Sequence, residues 1–151
     1  MWGGPLGAET VTHSEGETET FGERLASSLT AGDVVYLIGE LGAGKTTLVR
    51  GLARGLGASS REVASPTFAL LHEYAGSAGE IVLRHLDLFR LGDRLAELEV
   101  LGLPDSVSGA PVCVEWPGEA IRTLLPPTLE IALSGPGETR TLRLRRLPRS
   151  G

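Results

Sequence analysis

The alternation of hydrophobic and polar residues predicts strands and helices in turn along most of the chain. An apolar, β-branched run at 33–38 has the composition of a buried strand. The next segment, 46–56, places Leu48, Leu52 and Leu56 at i, i+4 and i+8, on one face of a helix. A buried strand followed directly by an amphipathic helix indicates an open α/β fold.

The other elements follow from the same kind of pattern and from turn residues. Strands are predicted at 9–13, 68–74, 80–87, 112–114, 129–133 and 141–147, and helices at 15–29, 93–101 and 119–125. A polar loop is expected at 58–68, and residues 1–9 are expected to form a loose tail. The prediction is a single α/β domain of 151 residues, a three-layer α/β/α sandwich with antiparallel hairpins added to a parallel core.

The segment between the strand at 33–38 and its helix has the spacing of a phosphate-binding P-loop. Residues 39–46 are GELGAGKT and fit G-x-x-x-x-G-K-[ST]. Lys45 is the sole lysine among 14 basic residues. Its compact ammonium fits beside phosphates that backbone N–H groups surround, whereas the planar fork of arginine is broader. The helix N-terminus favours an anion, and Thr46 is expected to offer its hydroxyl to Mg²⁺. We therefore predict a P-loop NTPase-like sheet that binds a nucleoside triphosphate.

Two carboxylates end apolar strands. Asp87 follows the run at 81–86, and Glu115 follows 112–114. Ligands of open α/β sheets lie at the carboxyl ends of strands, and a hydrolytic P-loop site needs an acid there. The alternative for each acid is that it caps the turn after its strand. Trp116, next to Glu115, either packs in the core or orders the loop that carries the acid.

Two further features lie near these acids in the sequence. His85 alternates with Asp87 and so shares its face of the strand, where we expect a structural hydrogen-bond donor rather than a base. Residues 65–68, SPTF, follow the P-loop helix at the place where related folds carry a γ-phosphate sensor. An ordinary loop entering a strand is the alternative there.

The composition of the chain argues against several classes of protein. A net charge of −5 argues against autonomous nucleic-acid binding. The chain contains no 18-residue apolar run and no signal-peptide pattern, and Cys113 has no second cysteine to pair with, so a cytoplasmic protein is expected. Guanine-specific GTPases use an Asn-Lys-x-Asp base reader, but this chain has no asparagine and no second lysine. Adenine is therefore the expected base.

Five short motifs follow one another in a fixed order: GELGAGKTT at 39–47, SPTF at 65–68, HLDLFR at 85–90, ELEVLG at 97–102 and EWP at 115–117. This set resembles the bacterial TsaE (YjeE) ATPases, which act in forming the threonylcarbamoyladenosine modification of tRNA. The resemblance runs from about residue 15 to residue 145. Phe89 stands where the family often has tyrosine, and Glu40 where aspartate is common.

The resemblance implies a small P-loop ATPase that uses ATP and Mg²⁺ and is weak alone. It would work with the TsaB–TsaD pair, in which TsaD transfers the threonylcarbamoyl group to adenosine in tRNA. ATP hydrolysis would reset that complex between turnovers. Contact with tRNA would be indirect, through the complex, and no membrane is involved.

The resemblance also implies roles for individual positions. Thr46 and Glu115 would hold Mg²⁺, Asp87 would be the acid linked to hydrolysis, and Lys45 and Glu115 would complete the catalytic set. The nucleotide-binding positions would be Glu15, Gly42, Ala43, Gly44, Lys45, Thr46, Thr47, Thr67, Trp116 and Arg140, with Glu15 near the adenine and Trp116 reporting the nucleotide state.

Two other functional classes stay open at this stage. A small-metabolite P-loop kinase would share the loop but should carry an arginine-rich lid, whereas Arg143, Arg145 and Arg146 cluster on a terminal strand. A nucleotide-sensing regulatory module would bind without useful hydrolysis. No arginine finger is evident near the P-loop in the sequence, so slow turnover is expected of the isolated chain.

Overall fold

The computed structural model describes residues 8–40, 44–64, 71–89 and 107–148. Within these ranges one sheet of eight strands is flanked by three helices. The strands are β1 Ala8–Thr12, β2 Val34–Ile38, β3 Ala58–Ala64, β4 Leu71–Gly76, β5 Ile81–Asp87, β6 Val112–Glu115, β7 Leu129–Ser134 and β8 Arg140–Arg146. The helices are α1 Glu15–Ala26, α2 Lys45–Gly55 and α3 Glu119–Leu124. None of the helices in the described ranges is long and apolar enough to cross a membrane.

The sheet has a parallel centre and antiparallel margins. Its strand order is β1-β8-β7-β2-β6-β5-β4-β3. The pairs β7–β2, β2–β6 and β6–β5 are parallel, and the four outer pairs are antiparallel. The predicted parallel core with added antiparallel hairpins is confirmed. Since β1 also runs in the direction of β7, the carboxyl ends of β1, β7, β2, β6 and β5 all reach one edge of the sheet.

Successive residues of the central strands are buried on opposite faces of the sheet. Helices cover both faces, which gives the predicted three α/β/α layers. Val35 and Leu37 pack in the cluster that contains α1 and α2. Tyr36, between them in sequence, packs on the other face with Ile121 of α3. The Tyr36 hydroxyl donates to Leu125 O at 2.6 Å, which satisfies its buried polar atom.

Helix α1 begins with a side-chain cap and packs tightly on α2. Ser14 Oγ accepts a hydrogen bond from Glu17 N at 3.1 Å, while the Glu17 carboxylate accepts one from His13 N. A Cβ atom at Gly22 would lie 2.7 Å from Leu48 O, so glycine there permits the close approach of the two helices. This packing fixes the first turn of α1 beside the P-loop helix. The helix ends at Ala26, three residues before the predicted end.

Several predicted boundaries need correction. The polar loop predicted at 58–68 is wrong over 58–64, where β3 pairs antiparallel with β4. An edge strand takes its hydrogen bonds from one neighbour, and this polar segment has no hydrophobic alternation that would reveal it. Strand β1 begins at Ala8 and so includes the last two residues of the predicted tail. Strand β4 runs to Gly76, beyond the predicted end at residue 74. The helix predicted at 93–101 and the SPTF segment at 65–68 lie outside the described residues.

Candidate functional site

A cavity of about 610 Å³ opens at the edge of the sheet where the parallel strands end. Its size lies within the range of small-molecule sites, roughly 300–1,000 Å³. The walls come from α1, the P-loop helix, the ends of β5 and β6, and the β7–β8 turn. The lining residues are Glu15, Thr18, Gly44, Lys45, Thr46, Thr47, Arg50, Asp87, Phe89, Glu115, Trp116, Gly137, Glu138 and Arg140.

Lys45 is a buried cation in this cavity, with 5% of its surface exposed. Its Nζ donates to Gly39 O at 2.6 Å and lies 3.6 Å from the centroid of the Trp116 ring. Burial lowers the pKa of Lys45, and the neighbouring carboxylates of Glu115, Asp87 and Glu40 oppose that shift. The result is a poorly hydrated ammonium group that gains from any anion placed beside it.

The two predicted acids are brought together by the register of their strands. Asp87 pairs with Glu115 across β5 and β6, at the last residue of each strand. Glu115 is buried, and its Oε2 lies 2.5 Å from His85 Nε2. Asp87 Oδ1 accepts a hydrogen bond from Phe89 N at 3.1 Å, so this acid caps its turn and also lines the cavity. The sequence predicts a structural hydrogen-bond donor at His85, and the structure places its ring against the Glu115 carboxylate.

Trp116 stands directly after β6 in an unusual backbone conformation. Among the described residues it is the one non-glycine residue with a positive φ, 58°. Such a conformation costs about 1–3 kcal/mol for a bulky residue and tends to occur at functional sites. It places the indole over Lys45 and against Phe89, with ring centroids 4.9 Å apart. Trp116 therefore belongs to the cavity wall rather than to either core cluster.

The remaining wall is built by residues that are distant in sequence. Gly44 has φ +99°, and a Cβ atom there would lie 3.3 Å from Arg140 Nε, so the arginine packs on the P-loop backbone. Arg140 Nη1 donates to Gly137 O and to Thr139 O at 2.9 Å, which ties it to the β7–β8 turn. Glu15 reaches the same cavity from the start of α1.

Most of the predicted site is assembled by the fold. Glu15, Gly44, Lys45, Thr46, Thr47, Asp87, Glu115, Trp116 and Arg140 all line one cavity, whereas Gly42, Ala43 and Thr67 lie outside the described residues. The sequence shows no evident arginine finger near the P-loop. The structure brings Arg140 against Gly44 and places Arg50 in the cavity wall.

The sequence reasoning missed five lining residues: Thr18, Arg50, Phe89, Gly137 and Glu138. Thr18 follows Glu15 by three positions and so shares its helix face, a signal that could have identified it. Its hydroxyl lies 2.6 Å from that of Thr12. Arg50 similarly lies one turn beyond Thr46. Gly137 and Glu138 gave no local signal, because only the sheet topology brings their turn to this edge.

The donor set fits a triphosphate with a magnesium ion. A buried ammonium group and a helix N-terminus favour phosphate. The paired carboxylates and the Thr46 hydroxyl line the same cavity and offer the oxygen ligands that Mg²⁺ prefers. Magnesium commonly takes one or two carboxylates and completes its shell with phosphate and water. Among the described residues, no group of three or more His, Cys, Asp or Glu side chains is placed to hold a metal ion.

The fold and this site define an α/β protein of the P-loop class. The model of the family described as "Threonylcarbamoyl adenosine biosynthesis protein TsaE" matches residues 12–142. The chain belongs to the TsaE family.

Individual relatives agree with this assignment. The chain is 36% identical over 129 residues to the "tRNA threonylcarbamoyladenosine biosynthesis protein TsaE" of Rickettsia bellii, covering 85% of this chain and 87% of that one. It is 48% identical over 95 residues to the protein of the same name from Streptomyces coelicolor, covering 63% of this chain and 64% of that relative's length. The crystal structure of Bacillus subtilis YdiB superposes with a TM-score of 0.69 at 28% identity, covering 97% of this chain and 90% of that one.

Proposed function

We propose that this protein is the P-loop ATPase subunit required for threonylcarbamoyladenosine modification of tRNA. It hydrolyses ATP to reset the TsaB–TsaD transferase complex between turnovers. One observation supports the hydrolytic role above all others: the buried Lys45 shares one cavity with the register-paired carboxylates Asp87 and Glu115. The family and the names of the relatives support the place in tRNA modification. That role implies work in the cytoplasm.

The proposed binding mode assigns the phosphates to the P-loop side of the cavity. The Lys45 ammonium would contact the β- and γ-phosphates, and the N-terminal amides of α2 would surround them. Thr46 and Glu115 would hold Mg²⁺, which neutralises charge on the phosphate oxygens when it is bound. Glu15 and Thr18, at the α1 side of the cavity, would lie near the base, which we take to be adenine.

Hydrolysis needs little covalent chemistry from the protein. An oxygen of water forms a bond to the γ-phosphorus, and the bond from that phosphorus to the β–γ bridging oxygen breaks, which leaves ADP and inorganic phosphate. Asp87 would orient the attacking water and accept its proton, which is finally released to solvent. Phe89 and Trp116 form an aromatic side of the cavity.

The isolated protein should turn over slowly, because the arginine that packs on the P-loop backbone is already engaged. Arg140 packs on Gly44, but its Nη1 is committed to carbonyl oxygens of the β7–β8 turn. We therefore assign the missing stabilisation of transition-state charge to the partner complex.

The arginine cluster on β8 does not favour a metabolite kinase. Arg143 pairs with Glu9, Arg145 with Glu130 and Arg146 with Asp33, so these side chains hold the sheet margin together. The arginine-rich lid of a metabolite kinase would need these side chains above the cavity. A pure nucleotide sensor differs from the proposed ATPase in turnover alone, and a measurement of turnover separates the two.

The resetting role is tested with purified TsaB–TsaD, tRNA and the threonylcarbamoyl donor. We expect one round of modification per complex without this protein and repeated rounds only when the protein and hydrolysable ATP are both present. Lys45→Ala should support no more than the first round. Sustained modification by TsaB–TsaD alone, at the rate of the full mixture, would contradict the proposal.

A further inference from the structure

The buried contact between His85 and Glu115 links an interior residue to a carboxylate of the cavity. His85 Nε2 and Glu115 Oε2 are 2.5 Å apart, and the side chains are 11% and 8% exposed. An ionised carboxylate only accepts hydrogen bonds, so the tautomer that fits this contact carries its hydrogen on Nε2 and donates it. The two residues lie on adjacent parallel strands, where His85 is the register partner of Cys113, two residues before Glu115.

The imidazole is itself held in place. His72, its antiparallel register partner on β4, lies beside it with ring centroids 5.9 Å apart. On the other side, Cys113 is fully buried. These neighbours restrict the position of the ring, and with it the position of Nε2 beside the carboxylate.

One hydrogen bond to Oε2 has a definite consequence for the rest of the carboxylate. It restricts the rotation of the carboxylate and engages one of its two oxygens, so the other oxygen remains for a ligand of the cavity that Glu115 lines. Carboxylates that bind metals are commonly oriented by such outer hydrogen bonds. Asp87, the register partner of Glu115, makes its hydrogen bond to the backbone of its own turn instead.

We propose that His85 is a positioning residue for Mg²⁺: its Nε2–H sets the Glu115 carboxylate so that the second oxygen binds the ion. The inference rests on the proposed function, since it presumes that Glu115 serves the metal of a nucleotide complex. His85 does not touch nucleotide and acts through Glu115 alone.

A pair of amide substitutions separates the hydrogen bond from the packing of the ring. The amide nitrogen of glutamine can occupy the position of His85 Nε2, whereas that of asparagine is too short to reach it. His85→Gln should retain the Mg²⁺-dependent gain in affinity for a non-hydrolysable ATP analogue, measured by isothermal titration. In His85→Asn the Mg²⁺-dependent gain in affinity should be smaller by about tenfold or more, which is the usual effect of removing an outer-sphere partner. Affinity for the analogue without Mg²⁺ should stay the same in both variants.

The exposed His13 supplies the matched control. His13→Gln makes the same chemical change at an exposed residue that does not line the cavity, and it should match the wild type. Thermal unfolding of each variant confirms that folded proteins are compared. If both His85 variants match the wild type, or both lose the gain equally, the inference is overturned while the proposed function stands. A wild type without Mg²⁺-dependent binding would instead overturn the proposed function, and this inference with it.

A second measurement needs no nucleotide. In ¹⁵N-labelled protein, the His85 imidazole should show a slowly exchanging Nε2–H resonance that is absent from His85→Asn. Glu115→Ala should shift this resonance or speed its exchange, because the acceptor has been removed. A resonance that ignores Glu115→Ala, or no protected imidazole proton at all, would show that the two side chains are not joined in solution.

Discussion

Asp87 and Glu115 are register partners at the ends of two adjacent parallel strands, so two carboxylates stand side by side at one cavity. Their surroundings differ. Glu115 is buried and hydrogen-bonded to His85, whereas Asp87 receives a backbone hydrogen bond from Phe89 at the start of its turn. Neighbouring acids in different surroundings are suited to different tasks.

We predict that substitutions separate these tasks. Glu115→Ala should weaken Mg²⁺-dependent binding of ATP, because a ligand of the ion is lost. Asp87→Asn should keep ATP affinity and lose turnover by about 10² or more, since only an interaction of the transition state is removed. Titration calorimetry and steady-state ATPase assays with TsaB–TsaD measure the two effects. The control is Glu9→Gln, at an exposed acid of β1.

The alternative role of these acids as turn caps makes a different prediction. Loss of a cap lowers the stability of the fold without a selective effect on Mg²⁺ or on turnover. Wild-type turnover in both folded variants would mean that the two carboxylates serve the turns alone.

A second prediction concerns Lys45 and phosphate. Lys45→Ala should weaken ATP binding by about 1.5–3 kcal/mol, roughly 10- to 150-fold, because a charge-assisted contact in a buried site is lost. Lys45→Arg should also bind poorly, since the broad guanidinium must fit where the compact ammonium lies between Gly39 O and the Trp116 ring. Arg143→Ala removes an exposed cation as the control. Unchanged affinity in Lys45→Ala would refute the site assignment.

The lowered pKa of Lys45 has a consequence for stability. Because its folded-state pKa lies below the ordinary value of about 10.4, the folded protein binds fewer protons at this group than the unfolded chain does at alkaline pH. The contribution of Lys45 to the free energy of unfolding therefore rises with pH as that ordinary value is approached. Denaturant unfolding of the ligand-free wild type and of Lys45→Met gives the difference between their free energies of unfolding. From pH 7 to pH 10 this difference should change in favour of the wild type. A shift in the opposite direction would mean that the surrounding carboxylates outweigh burial.

Trp116 should report occupation of the phosphate site. Its ring centroid lies 3.6 Å from Lys45 Nζ, so a ligand that draws the ammonium away changes the field at the indole. The chain has two tryptophans, Trp2 and Trp116. Tryptophan fluorescence of Trp2→Phe should respond to ATP as in the wild type, and that of Trp116→Phe should not. A response that follows Trp2 instead would separate Trp116 from the nucleotide.

Local patterns in the sequence predicted the parts of the site that local chemistry determines. The pattern predicted β2 and α2 within a residue or so, from the run at 33–38 and from the leucines at 48, 52 and 56. A strand buried on both faces is a continuous apolar run, whereas a helix buried on one face has apolar residues three or four positions apart. The acids Asp87 and Glu115 were found for a similar reason, since each directly follows an apolar run.

Contacts between distant strands were beyond such reasoning. The bond from His85 to Glu115 depends on the register of β5 against β6, and the packing of Arg140 on Gly44 depends on the order of β7, β8 and β2. Neither contact produces a periodic pattern in the sequence. Strand β3 was missed because an edge strand can be polar throughout and still pair with its neighbour.

The most direct test of a partner-dependent ATPase is the steady-state rate of ATP hydrolysis with and without purified TsaB–TsaD from the same organism. The isolated wild type should turn over slowly, and the complex should raise the rate, by about 10³-fold if it supplies an arginine to the site. Lys45→Ala should stay inactive in both conditions, which excludes a contaminating ATPase. A rate that TsaB–TsaD leaves unchanged, in a wild type that binds ATP, would contradict the proposed function.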